Sequence, residues 1–111
     1  MFLSPRRFVE KFLVEEKRTR LDEFGNQRVT FEPAGDLSGI ISSVNPQERE
    51  RYKGLKHVVA HKIVQHLGTA RARIGDRLIK ADKIYFVEDI NDVSNLGLFY
   101  IYYVSERSDV K

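Results

Sequence analysis

Three histidines, three pairs of nearby carboxylates and a tyrosine-rich run are the residues whose types and spacing could do chemistry. His57 and His61 are four residues apart and His66 follows five later. Two histidines four apart can share a face of a helix or a strand, which is how a pair of metal ligands is presented. No Asp, Glu or third His completes a set on that face. The reading is therefore of partly exposed β-residues, one of them satisfied by a backbone carbonyl. The carboxylate pairs are Glu15/Glu16, Glu48/Glu50 and Glu88/Asp89. Consecutive strand residues point to opposite faces. The first and third pairs thus cannot easily serve one substrate as acid and base. Glu48 and Glu50 read as part of a short solvated helix among arginines. With no cysteine, disulfides, thiolate zinc sites, iron–sulfur clusters and thiol nucleophiles are excluded. The glycines form neither GxGxxG nor GxxxxGK[ST]. The sequence therefore predicts no enzyme, and no catalytic, cofactor-binding or metal-binding residue.

Binding chemistry is the other possibility. Tyr100, Tyr102 and Tyr103 beside Phe99 could stack nucleobases, as in sheet-based single-strand binders. No Lys or Arg interleaves them, so core packing accounts for them better. Arg6, Arg7, Lys11, Lys17, Arg18 and Arg20 form a basic stretch. It suits weak contact with a phosphate backbone or an acidic protein, with solvated surface as the default.

The elements that must position these residues read as short strands. Phe8–Glu16 is a strand with apolar residues on both faces. Lys17–Gln27 is a flexible loop around Asp22-Glu23-Phe24-Gly25-Asn26, with Gly25 and Asn26 suited to positive φ. Arg28–Glu32 pairs back on the first strand. Pro33, Gly35 and Asp36 break the chain before a strand at Leu37–Val44. Asn45 is a good N-cap and Pro46 suits the first helical position, so Pro46–Lys53 forms a short helix that Gly54 stops. Leu55, Val59, Ile63 and Leu67 recur at helical spacing, yet Lys56–Gln65 is rich in β-branched residues. Periodicity leaves helix and strand open there. From Thr69 the signal is β: Ala70–Ile74 leads into a Gly75-Asp76 turn, Arg77–Ile79 is a strand, and Lys80–Lys83 reverses the chain. Ile84–Ile90 is a strand, Asn91–Gly97 a turn cluster, and Leu98–Ser105 a central strand with apolar residues on both faces. Such spacing predicts a mainly β fold: a small closed barrel or sandwich of six to seven strands with one short helix.

The chain has 111 residues, 41% hydrophobic and 32% charged. That is enough for one modest core and one domain spanning residues 1–111, with 1–6 and 106–111 expected to fray. No apolar run has the length of a signal peptide core or a membrane span, so neither is expected. Net charge is +3, mild for a dedicated nucleic-acid binder. Its distribution is uneven. Residues 57–83 carry six basic and two acidic groups, and residues 84–111 carry two basic and five acidic. Opposite charge in different parts of one chain suits docking between unlike neighbours.

The order of several motifs carries more than any one of them. Asp22 and Gly25 form an Asp-x-x-Gly loop, and Gly39-Ile40-Ile41 follows. A polar helical stretch then carries Glu48 and Tyr52. Next come His61-Lys62-Ile63, Gly75-Asp76-Arg77-Leu78, Tyr85-Phe86-Val87-Glu88-Asp89-Ile90 and a closing hydrophobic strand ending in Glu106-Arg107. Over residues 5 to 107 the chain resembles the head-tail adaptor, or head-closure, proteins of tailed bacteriophages and prophages. It departs from them in having no Trp after the first loop.

The resemblance implies a small β-barrel or sandwich with long mobile loops, a subunit of a homo-oligomeric ring, twelve-fold by family analogy, that can be monomeric when isolated. Its partners would be portal and adaptor ring proteins and tail proteins. It would sit at the head-tail connector of the virion, in the bacterial cytoplasm during assembly. There it would close the DNA channel and offer the tail a docking surface. The resemblance also makes residues 57–66 a strand and confines the helix to about 46–54. On this reading Lys17, Arg18 and Arg20 are candidates to face the channel and its double-stranded DNA. Gly35–Val44 is a second candidate loop, one that would order on assembly. Asp89, Asp92 and Asp109 are candidates to dock a neighbour. The competing class is a small single-stranded nucleic-acid-binding barrel.

Overall fold

In a computed structural model, which describes residues 9–65, 71–93 and 99–107, six antiparallel strands close into a barrel. They are β1 (Glu10–Leu21), β2 (Gln27–Ser43), β3 (His61–Gln65), β4 (Arg77–Lys80), β5 (Lys83–Asp92) and β6 (Tyr100–Glu106). The order around the barrel is β1-β2-β3-β6-β5-β4, and β4 pairs back on β1. The mainly β barrel with one short helix is the predicted fold class.

Alternation along the strands builds the core. Phe12 and Val14 of β1, Leu37 of β2, Ile63 of β3, Leu78 of β4, Tyr85 and Val87 of β5, and Tyr102 and Val104 of β6 form one buried cluster. β6 lies between β3 and β5, and the closed barrel leaves none of these strands at an edge. The other face of β6 is covered too. Helix α1 (Pro46–Arg51) and the chain after it cover Tyr103, which packs with Val44, Val59, Tyr52 and Ile101 in a second cluster. The helix starts as expected: Asn45 caps it, Pro46 opens it, and Asn45 and Glu48 form a reciprocal capping box. Of the expected strand at 57–66, only His61–Gln65 forms among the described residues; residues 57–60 are not strand, Val59 packing instead on Val44 and Tyr103, and His66 lies outside the described residues.

Four boundaries differ from expectation. Residues 71–74, expected to be β, are not strand, because the chain turns where Asp76 and Arg73 bond to each other. Residues 17–21 are strand, so the predicted Lys17–Gln27 loop shrinks to the turn Asp22–Asn26. Asp22 makes that possible: its Oδ1 accepts the amides of Phe24 and Asn26 at 2.9 and 2.8 Å, and Gly25 takes φ +81°. Pro33–Asp36 does not break the chain. It is a bulge inside one 17-residue strand, a place where Pro is tolerated in a sheet. For the same reason Gly35–Val44 is not a loop; most of it is the barrel half of β2. Asn91 and Asp92, assigned to a turn, end β5; residues 94–98 lie outside the described residues.

Gly39 carries a packing constraint. A Cβ there would lie 2.7 Å from the Val64 carbonyl oxygen and 2.8 Å from Ile63 Cγ2, so β2 and β3 can approach only over a glycine.

Candidate assembly surfaces

The pairing ranges of β1 and β2 define an arm. Among the described residues β1 pairs with β4 over Leu13–Glu15, and β2 pairs with β3 over Gly39–Ser43. Glu16–Leu21 and Gln27–Glu32 pair with each other, and with no other strand among the described residues. From the Lys17/Phe31 pair to the turn this ribbon extends roughly 15–20 Å at about 3.3 Å per residue.

The arm is two-faced. Alternation puts Lys17, Thr19 and Leu21 of β1 with Gln27, Val29 and Phe31 of β2 on one face. Glu16, Arg18 and Arg20 share the other with Arg28, Thr30 and Glu32. Lys17 is thereby separated from Arg18 and Arg20, with which the sequence grouped it. Arg18 lies 3.5 Å from both Glu16 and Glu32, Arg20 lies 3.2 Å from Glu32, and Arg28 lies 3.4 Å from Asp22. These exposed pairs are screened and contribute little to stability. They leave the arginines accessible to a stronger anion. The amide of Asn26, then that of Phe24, and the Arg28 guanidinium hold the Asp22 carboxyl below its ordinary range.

The root of the arm is clamped. Asp76, buried at 4% exposure, accepts the Lys17 amide at 2.9 Å on Oδ1 and the Arg73 amide at 2.9 Å on Oδ2. Phe31 meets Phe86 edge-on at 5.8 Å between centroids, and the Arg77 guanidinium sits 4.1 Å over the Phe31 ring. Arg77 also pairs with Glu15. The sequence read Asp76 as one half of a turn; its burial comes from the long-range contact with β1, which no local pattern reveals. Beside this root, Glu16, Ala34, Arg71, Arg73 and Asp76 line a hollow of about 300 Å³.

Glu48 corrects the sequence reading most sharply. The sequence puts it on a solvated helix face, yet it is buried, 8% exposed. Its Oε1 accepts the Asn45 amide at 3.0 Å and the Lys62 ammonium at 2.9 Å. Its Oε2 accepts the Tyr103 hydroxyl at 2.8 Å. Burial alone would raise its pKa; the Asn45 amide, Lys62 and Tyr103 outweigh burial and hold it at about 2. Burial and the Glu48 carboxylate push Tyr103 up to about 12. The capping-box pattern Asn45-x-x-Glu48 was the available signal, since it ties a glutamate to the helix start.

The remaining candidates are dispersed. Asp89 is half-buried; its Oδ2 accepts the Tyr52 hydroxyl at 2.5 Å and its Oδ1 accepts the amide of Ile90. Asp92 ends β5, and Asp109 lies outside the described residues. Glu88 is paired with Arg107 at 2.8 Å. Tyr100, Tyr102 and Tyr103 are all buried and offer no stacking platform. The Tyr102 hydroxyl donates to Gln65 Oε1 at 2.7 Å and accepts the Ala72 amide at 3.4 Å. His57 precedes β3. His61 stacks edge-on against Tyr85, and its Nδ1 is buried without a hydrogen-bond partner among the described residues, so the expected carbonyl contact is not formed there. Among the described residues no group of three or more His, Asp or Glu is arranged to hold a metal. No helix among them is long and apolar enough to cross a membrane.

Against known proteins, no family model and no curated protein matches the chain. A solved structure does. A chain of the virion of a native gene transfer agent particle aligns over 89% of this chain and 94% of its own, with a TM-score of 0.58 and 16% identity. The likeness is one of fold, and it is nearly end to end in both chains.

Proposed function

We propose that the chain is a structural, non-enzymatic subunit of a tailed-phage-type particle. In this reading it forms a ring beneath the portal and adaptor, closes the DNA channel of the packaged head and presents a surface to the tail. The observation that carries the proposal is the fold shared, nearly end to end, with a virion chain of a gene transfer agent particle. The two-faced arm supports it, since a projecting ribbon is an assembly device rather than a catalytic one.

Within this proposal Arg18 and Arg20 face the channel. They share Glu32 and can exchange it for a backbone phosphate. Lys17 acts at the root, where its amide is tied to Asp76. Asp92 and Asp109 supply the acidic contact to a neighbouring ring, with Asp89 serving indirectly by holding Tyr52.

Two measurements test the proposal. The chain should co-purify with a portal–adaptor complex, and heads assembled without it should lose their DNA to added nuclease. Alanine at Arg18 and Arg20 should leave assembly intact and weaken DNA retention. Failure to associate with any connector component, together with salt-sensitive oligonucleotide binding by the isolated chain, would instead favour the single-strand-binding barrel.

A further inference from the structure

The arm leaves an apolar strip uncovered. Phe24 at its tip is 79% exposed, Leu21 71% and Val29 51%. A two-stranded ribbon is marginally stable by itself in water, so its apolar face gains most from a partner. A second uncovered apolar patch lies beyond α1. Leu55 and Val58, 45% and 74% exposed, line a hollow with Tyr52 and Val59, rimmed by Arg49 and Lys53. Its volume is about 160 Å³, and an apolar cavity of about 150 Å³ holds a benzene ring.

The two patches lie at opposite ends of β2. The arm turn precedes Gln27 and the helix follows Ser43. Sixteen strand steps at about 3.3 Å put them roughly 50 Å apart along the strand. An arm therefore cannot reach the hollow of its own chain. Charge matches as well: Glu23 stands beside Phe24 at the tip, and Arg49 on the rim has no ion pair among the described residues.

We infer that Phe24 of one copy inserts into the Leu55/Val58 hollow of the next, with Glu23 against Arg49. The contact joins two different patches, so it is heterologous and propagates around a closed ring. An aromatic anchor in a small pocket is the usual form of such a contact. With the apolar face laid on the neighbour, the Arg18/Arg20 face is left free. The inference rests on the ring reading.

Because the chain has no cysteine, paired cysteines test it directly. Phe24→Cys and Val58→Cys proteins are mixed at high concentration, and also assembled on the connector, under mild oxidation. The expected result is a mixed disulfide dimer well above the statistical proportion. A Lys83→Cys partner, at the β4–β5 turn, should give none in excess. Separately, Phe24→Ala should weaken self-association roughly ten- to a hundredfold. Glu23→Arg and Arg49→Glu should each weaken it, and the double reversal should restore it. A statistical mixture of disulfides in both settings overturns the inference. If the ring still forms on the connector, the ring reading survives that failure; if the chain does not associate with the connector, that reading falls with it.

Discussion

Replacing Glu48 by Gln should produce a stability loss that depends on pH in a defined way. The substitution keeps the shape and one acceptor oxygen, so the Asn45 amide remains satisfied. The Tyr103 hydroxyl can turn to accept from the new amide. What disappears is the charge that faces Lys62 at 2.9 Å. The native carboxylate has a pKa of about 2 against an ordinary 4.5. A difference of that size corresponds to about 3 kcal/mol at neutral pH. Lys62 keeps 24% of its side chain in water, and the resulting screening makes that figure a ceiling.

The sign follows from the depressed pKa. The stabilisation is complete above the unfolded value near 4.5 and is lost as pH falls through about 2. Urea unfolding of both proteins from pH 7 to pH 2 should therefore give a constant gap down to about pH 5. The gap should halve near pH 3 and shrink to a few tenths of a kcal/mol at pH 2. A gap that stays constant across the whole range, or one below about 0.5 kcal/mol at pH 7, would refute the assignment of Glu48 as a buried, charged anchor.

Three further outcomes follow from the packing. Gly39→Ala should cost about 1–3 kcal/mol, read as a lower Tm, because the new methyl group meets the Val64 carbonyl. Asp76→Ala strips acceptors from the amides of Lys17 and Arg73 and should cost about 2–4 kcal/mol; hydrogen exchange at the Lys17 amide should accelerate. Tyr102→Phe removes the hydroxyl between Gln65 and Ala72 and should cost about 1–2 kcal/mol in urea unfolding.

Much of the barrel was legible because alternation is local. Phe12 and Val14, or Tyr102 and Val104, announce an inward face two residues at a time. The helix start was legible because Asn45, Pro46 and Glu48 do their work within four residues. The arm was not. Polar residues such as Lys17–Arg20 have no apolar alternation, and their strand character comes from pairing with Gln27–Glu32 across a turn tied by Asp22. The burial of Glu48 and Asp76 was hidden for the same reason: their partners, Tyr103 and Lys17, lie 55 and 59 residues away. Pro33 and Gly35 do interrupt regular pairing, but in a bulge rather than a loop.

That bulge also settles the parity of the arm. In the barrel, the even-numbered Phe12 of β1 lies opposite the odd-numbered Leu37 of β2; in the arm, odd Lys17 lies opposite odd Phe31. The extra residue at Ala34–Gly35 makes the switch, and it gathers Leu21, Val29 and Phe31 on one side and the arginines on the other. The turn fixes register at one end and the core fixes it at the other. Losing a single residue between them would force one half to slip and carry each of its side chains through the sheet. The arm should thus tolerate many substitutions and almost no change of length at Ala34–Gly35, where the count of residues matters more than their identity.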